Sequence, residues 1–133
     1  MIMSKILFIE DNEALRVDVA NALRNAGHEV LEAEDGQAGF DLAMSTGSVD
    51  VVLTDQNMPH KTGLEMVRDL RAQQTYKDTI VIFYSTESKR TLRKQGWDLG
   101  IKGWMIKPAP ARLISKTIDK ALAKRREQQE AAA

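Results

Sequence analysis

The sequence predicts an α/β fold: a doubly wound parallel sheet of five strands alternating with five helices, (βα)5. Three observations predict it. Short β-rich apolar runs alternate with segments of helical periodicity along the chain, the order of a parallel sheet covered on both faces by right-handed crossover helices. One run, VDVVLT, is apolar enough for a central strand buried on both faces, and another, TIVIFY, is rich in β-branched and aromatic residues. The length of 133 residues, with 43% apolar and 29% charged side chains, suits one domain with an ordinary core.

The elements run in order. Lys5–Ile9 (KILFI) is a β-rich run. In Glu13–Ala26, Leu15, Val19 and Leu23 recur at helical spacing, and Gly27 stops the helix. Glu29–Ala33 is a short strand. Gln37–Ser45 is a helix with Phe40, Ala43 and Met44 on one side. Val49–Thr54 is a central strand, and Thr62–Gln73 a helix with Leu64, Val67 and Leu70 inward. Thr79–Tyr84 is the clearest strand, rich in β-branched and aromatic residues. Glu87–Leu99 is a weaker helix, further weakened by Gly96, which costs about 1 kcal/mol relative to Ala. Gly103–Ile106 is a short strand. Ala111–Arg126 is a helix with Ile114, Ile118, Ala121 and Leu122 inward. The domain is expected over residues 1–126. The polar tail 127–133 reads as an exposed, fraying extension of the last helix.

Composition excludes several function classes. Lys plus Arg and Asp plus Glu both number 19, which argues against a general nucleic-acid or anionic-membrane binder. There is no cysteine, so disulfides, thiolate metal sites and cysteine nucleophiles are excluded. The apolar run near the N-terminus is too short for a signal peptide or membrane span. A cytoplasmic protein is the expectation.

Ligands of open parallel α/β sheets bind beyond the carboxyl ends of the strands. The residues expected there are Glu10, Asp11 and Asn12, then Asp55, Gln56 and Asn57, then Ser85 and Thr86, and finally Lys107. Three carboxylates, a hydroxyl and an ammonium thus converge on one edge. Converging carboxylates repel, and a desolvated charge is expensive unless paired. Lys107 or a divalent cation would compensate. A hard-oxygen set without Cys or His suits Mg²⁺, which commonly serves phosphate chemistry. The first strand is followed by an acidic turn rather than a glycine-rich loop, so no nucleotide-phosphate cradle is expected.

These segments also carry a family resemblance. FIED, LTDQNMP, YSTE and GWMIKPA resemble, in that order, the acidic pair, the phosphoacceptor segment, the hydroxyl residue and the Lys-Pro pair of a flavodoxin-like receiver domain. The chain, from Lys5 to about Lys124, resembles the receivers of two-component response regulators, and the single-domain chemotaxis type most closely. The resemblance implies that Asp55 accepts a phosphoryl group from a sensor histidine kinase or a phosphotransfer protein. It implies Mg²⁺ on Asp11, Asp55 and the Asn57 carbonyl, with Glu10 helping through water. Lys107 would pair with Asp55 and then with a phosphoryl oxygen; the Lys–Pro bond is commonly cis in this family. Ser85 would bond the phosphoryl group and draw its loop inward, after which Trp104 would rotate inward. The surface so altered, Glu87–Leu99, Gly103–Ile106 and Ala111–Arg126, would meet a downstream protein. The stretch of chain after Lys107 suffices for a last helix and tail, which implies a stand-alone regulator and signalling switch rather than a metabolic enzyme.

Other readings stand beside these. A phosphohydrolase with an aspartyl nucleophile would place that residue on the first strand in a D-x-D motif, and here the position reads IEDN. A degenerate receiver would act only as a protein-binding module, and a flavin or nucleotide carrier of similar topology would not carry the acidic first loop. His28 and His60 read as solvated turn residues, and Met44 and Met66 as core filler. The basic run Ser88–Lys94 is a solvated helix face or a surface for an acidic partner. Thr86 is expected to narrow the approach to Asp55.

Overall fold

The computed structural model describes residues 3–132. The chain runs β1 (Lys5–Ile9), α1 (Glu13–Asn25), β2 (Glu29–Ala33), α2 (Gly36–Thr46), β3 (Val51–Thr54) and α3 (Gly63–Arg71). A 3₁₀ turn (Gln74–Tyr76) leads to β4 (Ile80–Ser85), α4 (Arg90–Asp98), β5 (Gly103–Ile106) and α5 (Ala111–Ala132). The five strands form one sheet in the order β2-β1-β3-β4-β5, every neighbouring pair parallel. The chain steps from β1 outward to β2, then returns past β1 to build the other side. The crevice above β1 and β3 is therefore the point where the strand order reverses, where such sheets bind ligands.

Successive strand side chains point to opposite faces, and two cores result. Leu7, Ile9, Val52, Val81 and Phe83 face Leu64, Met66, Val67 and Leu70 of α3 and Ala43 of α2. Ile6, Phe8, Val51, Leu53, Ile80 and Ile82 face Val19, Ala20 and Leu23 of α1 and Ile114, Ile118 and Leu122 of α5. All of β3 is buried, as its apolar run predicts, and so is all of β4. Gly27 ends α1 as expected: its φ of 100° lets His28 N–H reach back to the Leu23 carbonyl at 3.2 Å.

Tertiary contacts overrule the sequence in several places. The helix expected from Glu87 begins at Arg90, because the Glu87 carboxylate accepts from the Ser88 and Lys89 N–H groups and holds that stretch as a loop. His28 is not solvated but 4% exposed. Its Nδ1 accepts from the Ser4 N–H at 3.1 Å, so the ring proton belongs on Nε2, which lies 3.3 Å from Asp119 Oδ1. Met44 is exposed, while Ala43 beside it is fully buried, because α2 turns its small residue to the sheet. Gly96 is buried rather than merely weakening; a Cβ there would lie 2.6 Å from Ile101 Cδ1. His60 is exposed, with a φ of 69°. The polar tail continues α5 as an exposed helix through Ala132.

Candidate functional site

The strand ends bring the expected residues together. Asp55 follows β3 and is buried. Its N–H donates to the Ile9 carbonyl of β1 at 3.1 Å, so the two acidic loops are joined by the sheet itself. Its Oδ1 accepts from the Gln56 N–H at 2.6 Å and its Oδ2 from Lys107 Nζ at 2.9 Å. Lys107 follows β5, and its N–H donates to the Ser85 carbonyl at 2.9 Å. The Lys107–Pro108 bond is cis. The ammonium also donates to Glu10 Oε1 at 2.5 Å and lies 5.5 Å from the centre of the Tyr84 ring. Lys107 thus spans both acidic loops.

Glu10 is 1% exposed. Burial pushes its carboxyl above the ordinary range, against the pull of Lys107. Its other oxygen accepts from the Asn12 N–H at 3.1 Å. For Lys107, burial works against the charge, yet its hydrogen bonds to Glu10 and Asp55 outweigh it and raise the ammonium above the ordinary lysine value. Lys107 is therefore a cation at neutral pH.

Asp11 is exposed and makes no hydrogen bond or ion pair among the described residues. One carboxylate oxygen from each of Glu10, Asp11 and Asp55 lies within 4.8 Å of the others. Three carboxylates against one ammonium leave excess negative charge, which a divalent cation would cancel. The all-oxygen donor set, partly open to solvent at Asp11, fits Mg²⁺. Asp11 alone of the three is unengaged, while Glu10 and Asp55 each accept hydrogen bonds at both oxygens, Glu10 from Lys107 and Asn12 and Asp55 from Lys107 and Gln56, and each of those oxygens keeps a further lone pair.

Ser85 ends β4 and is fully buried. Its Oγ accepts from the Glu87 N–H at 3.1 Å, which leaves the hydroxyl proton available to another acceptor. Glu87 joins several parts of the site. Its carboxylate also accepts from Asn57 Nδ2 at 3.5 Å, and its carbonyl accepts from Trp104 Nε1 at 2.8 Å. The Trp104 ring stacks on Phe83, centroids 4.5 Å apart and planes within 3°. The indole is therefore already turned inward, whereas the sequence reading has it turning inward only after phosphorylation. Its N–H, a donor that a phenylalanine would lack, pins the loop between β4 and α4. Thr86 is exposed. The strand-end residue to which the sequence reading gives no role is Gln56, 5% exposed, whose side-chain carbonyl accepts from the Leu64 N–H of α3 at 2.9 Å. An uncharged polar side chain two positions beyond a buried apolar strand is the signal that marks it.

This geometry agrees with comparisons to known proteins. Residues 6–119 match the family model described as the response regulator receiver domain. The chain belongs to this family. It is 32% identical over 119 residues to the "Chemotaxis protein CheY homolog" of Campylobacter jejuni, covering 89% of this chain and 92% of that one. It is 32% identical to the "Chemotaxis protein CheY" of Pseudomonas aeruginosa, over 87% of this chain and 94% of that protein. The structure of Vibrio cholerae CheY4 superposes with a TM-score of 0.83 at 34% identity, covering 90% of this chain and 98% of that one. A receiver from Clostridium thermocellum gives 0.84 at 25% identity, over 94% and 98%. The receiver fold expected from the sequence is the fold observed, and the domain is a CheY-like signalling module. No helix among the described residues is long and apolar enough to cross a membrane.

Proposed function

We propose that Asp55 accepts a phosphoryl group from the phosphohistidine of a sensor histidine kinase or phosphotransfer protein, and that this switches a protein-binding surface. The observation that supports the reading best is Lys107, held between Glu10 and Asp55 beside exposed Asp11. An oxygen of the Asp55 carboxylate forms the new P–O bond while the donor's P–N bond breaks. The electron pair leaves with the imidazole, which takes up a proton. Phosphoryl transfer has a loose transition state, so positioning and charge neutralisation supply most of the rate. Asp11, Asp55 and the Asn57 carbonyl would hold Mg²⁺, with Glu10 acting through water, and the bound cation would supply part of that neutralisation. Lys107 supplies the rest by exchanging its bond to the carboxylate for one to a phosphoryl oxygen. Ser85 donates its hydroxyl proton to another phosphoryl oxygen.

The output surface in this reading is α4 with its preceding loop, β5 and α5. It exposes Trp97, Ile106 and Leu113 beside the exposed bases Lys89, Arg90, Arg93 and Lys94, a composition that suits an acidic protein partner with apolar anchors. The domain would catalyse only its own phosphorylation and dephosphorylation.

Intact-mass analysis after incubation with acetyl phosphate tests this. The wild-type chain should gain one phosphoryl group with Mg²⁺ and little without it. Asp55→Asn keeps the shape and loses the nucleophile, so it should gain none; full labelling of that variant would overturn the assignment.

A further inference from the structure

A helix begins with four N–H groups that have no acceptor inside it. In α3 these belong to Thr62, Gly63, Leu64 and Glu65, and all four are satisfied. Thr62 N–H donates to Glu65 Oε1 at 2.9 Å, and Glu65 N–H to Thr62 Oγ1 at 3.2 Å, the reciprocal capping box. The other two are taken by one residue seven positions before Gly63 in the loop. Gly63 N–H donates to the Gln56 carbonyl at 3.0 Å, and Leu64 N–H to Gln56 Oε1 at 2.9 Å. Gln56 is held at a third point, where its own N–H donates to Asp55 Oδ1 at 2.6 Å. Its side chain is enclosed, and the helix it grips is anchored by buried Leu64, Met66, Val67 and Leu70.

Gln56 lies between the two residues whose oxygens the proposed function gives to Mg²⁺, Asp55 and Asn57. Asn57 is exposed, and its only side-chain bond among the described residues is the 3.5 Å contact with Glu87. Its orientation is therefore inherited from its neighbour. We propose that Gln56 is a positioning residue for the metal loop: its side-chain carbonyl ties Asp55–Asn57 to the start of α3 and so presents the Asp55 carboxylate and Asn57 carbonyl to the cation together. The proposal rests on the Mg²⁺ reading above. Without the brace, the Leu64 N–H would turn to water and the 56–57 backbone would be released from the helix.

Calorimetric titration with Mg²⁺ at pH 7 tests this on the full chain. Gln56→Leu keeps the volume and removes the acceptor. Groups that orient metal ligands are typically worth about 10–100-fold in affinity, and Gln56→Leu should weaken Mg²⁺ by about tenfold or more. Thr62→Ala removes the other cap of the same helix without touching the loop, and should bind Mg²⁺ within about twofold of wild type at a similar loss of stability. Gln56→Glu retains the acceptor and should bind at least as tightly as wild type; Gln56→Asn is one methylene too short and should behave like Gln56→Leu. Amide exchange in the metal-free protein should show the Leu64 N–H deprotected in Gln56→Leu and Gln56→Asn alone. If Gln56→Leu and Gln56→Asn keep wild-type Mg²⁺ affinity, or Thr62→Ala weakens it as much as they do, the side chain is a helix cap only and the proposal fails. If the wild-type chain binds no Mg²⁺ and takes no label on Asp55, the proposed function fails instead, and this positioning role with it.

Discussion

Helices α3 and α4 follow the two strands that carry Asp55 and Ser85, yet they are held in opposite ways. α3 buries Gly63, Leu64, Met66, Val67 and Leu70, and every N–H of its first turn has a partner. α4 has the same length but buries only Gly96, and its N-cap Lys89 makes no side-chain capping bond. Its approach is secured by the Glu87 carboxylate and by the Trp104 bond to the Glu87 carbonyl. At the other end, Arg71 donates to the Leu99 carbonyl at 2.8 Å, and a burial penalty holds that guanidinium below its ordinary value without threatening its charge. The difference separates two tasks within one site. A loop that holds a nucleophile and a metal must be preorganised, since reorganisation would raise the barrier. A segment that reports the chemical event must have a second arrangement close in free energy. Weak burial and sparse capping are the physical content of such readiness.

Two glycine substitutions should separate the helices most sharply. A Cβ on Gly63 would meet the Asp55 carbonyl oxygen at 2.2 Å and the Phe83 ring at 2.7 Å. Backbone cannot step aside, so Gly63→Ala should destabilise by about 3 kcal/mol or more, read by urea unfolding. In Gly96→Ala the nearest obstacle is the terminal methyl of Ile101. Its displacement is set against a helix-propensity gain of roughly 1 kcal/mol, so stability should change by no more than about 1 kcal/mol. Equal losses in the two variants would remove the contrast. Amide hydrogen exchange comes next: the central amides of α3 should exchange on the order of 100-fold more slowly than those of α4. Uniform protection would show that α4 is not the looser element.

Lys89→Ser supplies α4 with the cap it lacks. It should stabilise by about 0.5–1 kcal/mol and slow exchange in α4 while leaving α3 unchanged; a loss of stability would mean that the present start of α4 is already its best. The smallest effect concerns pH. Hydrogen bonds from the backbone lower Glu65 and Glu87 below the ordinary 4.5, chiefly the Thr62 N–H for the first and the Lys89 N–H for the second. A depressed carboxyl contributes stability above its unfolded value and loses it as pH falls through the folded one. Below pH 4.5 the start of α4 should loosen first, because α3 keeps its Gln56 and Thr62 acceptors when Glu65 is protonated. Amide exchange followed down this range would show it as earlier deprotection of Ser88 and Lys89.

Much of the site was legible because its residues sit where strands end. Apolar runs mark the strands, and the first polar residue after each run names a strand end: Glu10, Asp55 and Lys107 needed nothing more. The boundaries of β1, β2 and β5 were legible for the same reason. What escaped depends on partners distant in the chain. Gln56 acquires its role from a helix start, His28 its burial from Ser4 and Asp119, and Trp104 its inward orientation from Phe83 and Glu87. The start of α4 escaped because a local side-chain bond competes with helical hydrogen bonding, which periodicity does not register.

The sequence by itself therefore determined which chemical groups this protein brings to one edge of its sheet. Apolar patterning selects strands and helices through burial, and burial is a property that each residue carries with it. The tertiary structure decided how those groups are engaged. Only the strand order places β1 beside β3, and only that adjacency lets one ammonium bridge Glu10 and Asp55 while Asp11 stays open. Hydrogen bonds and ion pairs act over a few ångströms in fixed directions, so they belong to the folded arrangement and not to any stretch of chain.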